Sequence, residues 1–212
     1  MYELSLVMWV AINVGLALIP VGAGYAIRGL AGRTRRRVSP AVVPVIVVLG
    51  LVWLIFLPNT AYLLSEWRHW LRMMDRSNIS SRLATDSGTA LSFMTYTLFY
   101  LGFSSAGMLT FALAIRPVAH VMKARGANLW VWGIPLFLLC SVGVYLGLIL
   151  RFNSWEMMTR PGDVWAAVVS LTDHPVLSSF LIAFAAGLWI LYLIVDIWID
   201  GLSARLKGMA KG

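Results

Sequence analysis

The sequence predicts an all-α integral membrane protein: a five-transmembrane-helix bundle with short interfacial helices on the extracytoplasmic face. Three observations carry that expectation. Hydrophobic residues make up 60% of the 212 positions and charged residues only 12%, against roughly 45–50% and about 25% in soluble domains. The apolar residues gather into continuous runs, without the period-two alternation of a membrane β-barrel. Lysines and arginines collect in alternate connecting segments, as the positive-inside rule describes. A soluble domain of this size has too much surface to leave it so poor in charge. The single cysteine, Cys140, excludes a disulfide scaffold, and the apolar content excludes a disordered chain.

A hydrocarbon layer about 30 Å thick needs roughly 20 residues of apolar helix. Five runs qualify, spanning about 4–27, 41–57, 88–115, 129–150 and 176–199 within a single membrane domain, 1–212. The first is interrupted only by Ser5, Asn13 and Pro20. It lacks a positive leading region and is longer than a signal-peptide core, so it reads as a retained anchor. The second is short and is expected to stop at Pro58. The third carries hydroxyls at Thr89, Ser92, Thr95, Thr97, Ser104 and Ser105, which together with Asn13 suit interhelical hydrogen bonds. The fourth holds Cys140 as a small packing residue. The fifth ends near Asp196 and Asp200, where acids snorkel toward water.

The basic residues set the orientation. Arg28, Arg33, Arg35, Arg36 and Arg37 follow the first run, Arg116, Lys123 and Arg125 follow the third, and Arg205, Lys207 and Lys211 follow the fifth. Arg68, Arg72, Arg76, Arg82, Arg151 and Arg160 lie in the other connections, diluted by acids. The first set is expected to be cytoplasmic, with the amino terminus outside and the carboxyl terminus inside. A pI near 10.2 therefore reflects topology and anionic lipid. Nucleic-acid binding is not expected, because the Arg33–Arg37 cluster has no interleaved aromatic residues.

Two connections hold most of the polar chemistry. In the first, about residues 59–76, Asn59 or Thr60 is placed to cap a new helix. Leu63, Leu64, Trp67, Trp70, Leu71 and Met74 recur at spacings of three and four, giving an amphipathic helix along the membrane surface. Glu66 and His69 stand three apart on its flank. In the second, about residues 154–171, Arg151 marks the boundary, Asn153 or Ser154 caps a short helix, and Glu156 occupies its first turn. Pro161-Gly162 breaks that helix, and Asp163 opens a further stretch that ends before His174-Pro175.

Those stretches also carry a resemblance. Pro58, Asn59, Tyr62 and Glu66-x-x-His69, followed by Tyr145, Gly147 and the string Arg151-Phe152-Asn153-Ser154-Trp155-Glu156, resemble the signature segments of an uncharacterised bacterial integral membrane family catalogued as domain of unknown function 1361. Members often have Pro where Ala61 stands, Asp where Glu66 and Glu156 stand, and a second Arg where Leu148 stands. The resemblance implies a multi-pass protein of the bacterial cytoplasmic membrane, and it implies no reaction.

The residues define two expectations. In the first, Glu66, His69 and Glu156 are candidate acid–base groups, while Asn59, Tyr62, Arg151, Asn153 and Trp155 hold a lipid or lipid-linked substrate. In the second, Arg151 pairs with Glu66 or Glu156 and the asparagines cap helices, so the same residues tie together a non-catalytic subunit or envelope-assembly partner. No metal is expected: Glu-x-x-His has no second copy to complete a di-iron site, and a zinc site from Glu66, His69 and His174 or Glu156 rests on little. No cofactor is expected either, since no Gly-rich phosphate loop, G-x-S-x-G elbow or paired-cysteine motif occurs. The expected partners are membrane lipids and a further membrane protein.

Overall fold

The computed structural model describes residues 2–32, 39–76, 85–152 and 156–209. The described residues form helices α1 (Tyr2–Ala31), α2 (Val43–Tyr62), α3 (Trp67–Arg76), α4 (Ser87–Ala124), α5 (Leu129–Leu148), α6 (Glu156–Thr159), α7 (Pro161–Val169) and α8 (Pro175–Met209). Single 3-10 turns at Leu63–Glu66 and Ser170–Asp173 precede α3 and α8. Among the described residues there is no strand. Five helices are long and apolar enough to cross a membrane, and the chain is an all-α multi-pass membrane bundle. Apolar side chains such as Leu98, Val131 and Val176 stay exposed on its outside, as expected where the surrounding solvent is hydrocarbon.

α1 packs along α2 and α4, α5 packs along α8, and α2 joins the two groups by lying against both α4 and α5. One end of the bundle, called here the junction end, gathers the α2–α3 and α5–α6 junctions with the first turns of α4 and α8. The other, the basic end, gathers the last turns of α1, α4 and α8, with Arg28, Lys123 and Lys207.

Small residues set the closest crossings. At Gly24 of α1, an added Cβ would lie 2.8 Å from the Ala114 carbonyl oxygen and 3.1 Å from Pro117 Cγ. Pro117 has no N–H to give and disturbs the α4 ladder, and the buried Trp53 indole donates to the neighbouring Ala114 carbonyl at 2.8 Å. α5 and α8 are joined by aromatic rings: Trp189 stacks on Phe137 at 5.5 Å and meets Trp130 at 5.1 Å. Ser141 Oγ donates to the Leu181 carbonyl oxygen at 2.8 Å.

Prolines do not end the spans where the sequence suggested. α2 runs through Pro58 to Tyr62, so Asn59 and Thr60 are helical residues and not caps. Their side chains donate back to Phe56 and Leu57 carbonyl oxygens at 3.1 and 2.7 Å. These i−3 bonds lead into the tighter 3-10 turn at Leu63–Glu66. α4 continues past Ile115 and Pro117 to Ala124. Its 38 residues measure about 57 Å, well beyond one hydrocarbon thickness.

The intramembrane polar groups are mostly local. Asn13 Nδ2 donates to the Trp9 carbonyl oxygen at 2.8 Å, and Thr95, Thr97, Ser105 and Thr110 donate within α4. A helical hydroxyl finds its own i−4 carbonyl before it finds a neighbouring helix. Thr97 alone of these α4 hydroxyls also accepts from another element, the Trp70 indole of α3 at 3.0 Å.

Candidate functional site

At the junction end the two polar stretches meet. Gly143 of α5 lies against Pro58 so closely that an added Cβ would stand 2.5 Å from Pro58 Cγ. On the other flank of α2, a Cβ at Gly107 of α4 would stand 2.7 Å from Leu63 Cβ. The last turns of α2 are thereby held between α4 and α5. Among the described residues there is a cleft of about 50 Å³ here, lined by Pro58, Asn59 and Tyr62 from α2, Gly147 and Phe152 from the end of α5, and Val164 from α7. Such a volume holds a few waters; a buried small-molecule site is usually about 300–1,000 Å³.

Past α5 the chain turns sharply. The Phe152 N–H donates to the Leu146 carbonyl oxygen at 3.0 Å, and Arg151 takes φ +62°. A side chain with a Cβ rarely adopts this left-handed conformation. The turn leaves Arg151 exposed, beside Phe152 of the cleft, and without an ion pair among the described residues. Glu156 starts α6 and is half-buried; its carboxylate lies 4.0 Å from Arg160, one turn on. The expected Arg151–Glu156 pair is therefore replaced by Glu156–Arg160.

Of the sequence-derived candidates, the structure brings Asn59 and Tyr62 into one cleft with Gly147 and Phe152. The backbone places Glu66 at the end of the 3-10 turn and His69 in the first turn of α3; their side chains lie outside the described part. Asn153, Ser154 and Trp155 also lie outside the described residues. α3 itself is docked on protein. Trp67 meets Tyr100 at 6.5 Å, and Trp70 meets Phe93 at 5.9 Å. Its tryptophan face is thus partly spent on α4.

The basic end holds a charged cluster that the sequence did not single out. Arg116 of α4 reaches α8, where its Nε lies 3.1 Å from Asp196 Oδ1 and its other guanidinium nitrogen pairs with Asp200. The Arg116 side chain is only 12% exposed, Asp196 30% and Asp200 65%. Asp196 and Asp200 do not simply snorkel to water: one turn apart, they share a guanidinium that the sequence assigned to a loop. An acid pair at i, i+4 in a span, opposite an arginine beside Pro117, was the available signal. His120, one turn beyond Arg116, has its Nδ1 2.8 Å from the Arg116 carbonyl oxygen.

Two open cavities flank His120. One, of about 500 Å³, is lined by Arg28, Gly32, His120 and Lys123. The other, of about 360 Å³, lies between α4, α5 and α8.

No curated protein and no solved structure matches the chain. A family model described as protein of unknown function (DUF1361) matches residues 12–195. The matched span runs from α1 into α8 and takes in both stretches that line the junction-end cleft. The chain belongs to that family.

Proposed function

We propose that this multi-pass protein sits in the bacterial cytoplasmic membrane with its amino terminus outside, and that the junction end forms a polar site at the extracytoplasmic face for an anionic lipid or lipid-linked substrate. One observation carries the reading: Pro58, Asn59 and Tyr62 line the same cleft as Gly147 and Phe152, so two stretches far apart in sequence build one place. The small cleft supports engagement of a headgroup at the rim and not burial of a whole substrate. Arg151 is the rim cation, with Asn153 and Trp155 in the segment beyond it, and a guanidinium binds phosphate oxygens through paired hydrogen bonds. Glu66 and Glu156 are assigned as proton acceptors and His69 as their partner.

The test is retention of phosphatidylglycerol by the purified full chain, read by native mass spectrometry, with folded yield read by gel filtration. Arg151→Ala is expected to stay folded and to lose about tenfold in retention, the effect of one charged hydrogen-bonding group. Glu66→Gln and His69→Ala are expected to stay folded. Equal loss of folded protein in all three would overturn the reading. The second reading, a non-catalytic subunit in which these residues are structural, is favoured by the Glu156–Arg160 pair and the tight Gly143–Pro58 contact. That outcome is the one it predicts.

A further inference from the structure

We infer that the basic end carries a second site, independent of the junction-end reading, which binds a zwitterionic phospholipid headgroup with a phosphate and a primary ammonium. The 360 Å³ cavity has walls of opposite sign: Lys123 from α4 on one, and Asp196 and Asp200 from α8 on the other, with Trp130 and Trp132 of α5 closing the side. Arg116 supplies one positive charge to two carboxylates, so the acidic wall keeps one uncompensated negative charge. That charge is accessible, because Asp200 is largely exposed.

The positive wall suits a phosphate, because Lys123 brings an ammonium. The negative wall suits an ammonium. A primary ammonium is preferred to a quaternary one because carboxylates accept its N–H bonds, and because the described residues around the cavity form no closed aromatic box. Trp130 meets Trp189 at 5.1 Å with the rings tilted, and Tyr192 is buried.

A lipid, and not a soluble phosphoamine, is favoured by what lies beside the cavity. Ile134, one turn along α5 from Trp130, is an exposed apolar side chain, and Trp130 is itself largely exposed. The two share a helix face and offer an acyl chain a surface beside the headgroup pocket, and indoles favour a membrane interface.

The experiment uses the full chain in mixed micelles with dioctanoyl phosphatidylethanolamine or dioctanoyl phosphatidylglycerol, read by native mass spectrometry, with soluble phosphoethanolamine as competitor. Lys123→Ala and Asp200→Asn are each expected to lower phosphatidylethanolamine retention about tenfold and to leave phosphatidylglycerol retention unchanged. Arg151→Ala is expected to leave phosphatidylethanolamine retention unchanged, so failure here and failure at the junction end are separable. Lys123 makes no ion pair among the described residues, so Lys123→Ala carries the test should Asp200→Asn fail to fold. Equal loss of both lipids in Lys123→Ala would reduce the site to general basic-surface attraction and overturn the inference. So would unchanged phosphatidylethanolamine retention, or competition by soluble phosphoethanolamine at equal concentration.

Discussion

At the junction end, helices meet through glycine and proline: Gly143 against Pro58 and Gly107 against Leu63. At the basic end, α4 meets α8 through a guanidinium and two carboxylates. The materials decide how much space is left. Backbone-to-backbone contact in hydrocarbon gains dispersion energy with no desolvation cost, and among the described residues of the junction end it leaves a cleft of about 50 Å³. Long charged side chains hold their helices apart and need water or headgroups around them. The basic end accordingly retains cavities of about 360 and 500 Å³. Among the described residues, motif density and the larger cavities fall at opposite ends.

The sharpest way to break that contrast is to spoil the packing. Gly143→Leu would drive side-chain atoms into Pro58, and overpacking of this kind costs about 3 kcal/mol. The expected result is loss of most folded protein, read by sodium dodecyl sulfate titration of tryptophan fluorescence in mixed micelles. A cost below about 1 kcal/mol would mean that α2 and α5 separate easily, and that the cleft is larger in solution.

The ionic end should respond less. Arg116→Ala leaves Asp196 and Asp200 facing each other without a cation. Removing one partner of a buried pair costs about 3–5 kcal/mol, but Asp200 is mostly exposed and solvent screens it. The expected loss is about 2 kcal/mol in the same titration. Adding Asp196→Asn to Arg116→Ala should recover part of that loss, since a double-mutant cycle isolates the pair. Full additivity would show that Arg116 and Asp196 do not interact, and would leave Asp200 as the carboxylate that engages Arg116.

The membrane-spanning architecture was legible because it depends on composition, run length and basic asymmetry, none of which needs contact information. The convergence of Asn59 and Tyr62 with Gly147 and Phe152 was legible only in outline. Alternating spans put both stretches at one end, but which side chains share a cleft depends on the close approach of Gly143 to Pro58. Proline misled at Pro58, and the third span was ended too early at Ile115. In hydrocarbon a helix keeps going, because leaving its other backbone groups unpaired costs more than one missing N–H, and nearby donors such as Asn59, Thr60 and Trp53 bond to carbonyls beside the gap. The Arg116 cluster was hidden by the early end given to the third span. Ending the third span at Ile115 put Arg116 in a loop, whereas the continued helix aims it at Asp196.

The smallest effect expected is also the one that separates the two readings of the junction end. Arg151 holds φ +62°, a conformation that strains a residue with a Cβ and is easy for glycine. Arg151→Gly relieves that strain and loses some of it again to the greater freedom of glycine in the unfolded chain. The net gain should be about 0.5–1 kcal/mol, seen as a small shift of the detergent midpoint to higher denaturant. Phosphatidylglycerol retention should fall at the same time, because the guanidinium is gone. Stability and binding would then move in opposite directions, as they do where a strained residue is kept for a ligand. A side chain that instead ties the α5–α6 turn to the bundle would make both fall together. That result would return Arg151 to the fold and leave the basic end as the place to look for a ligand.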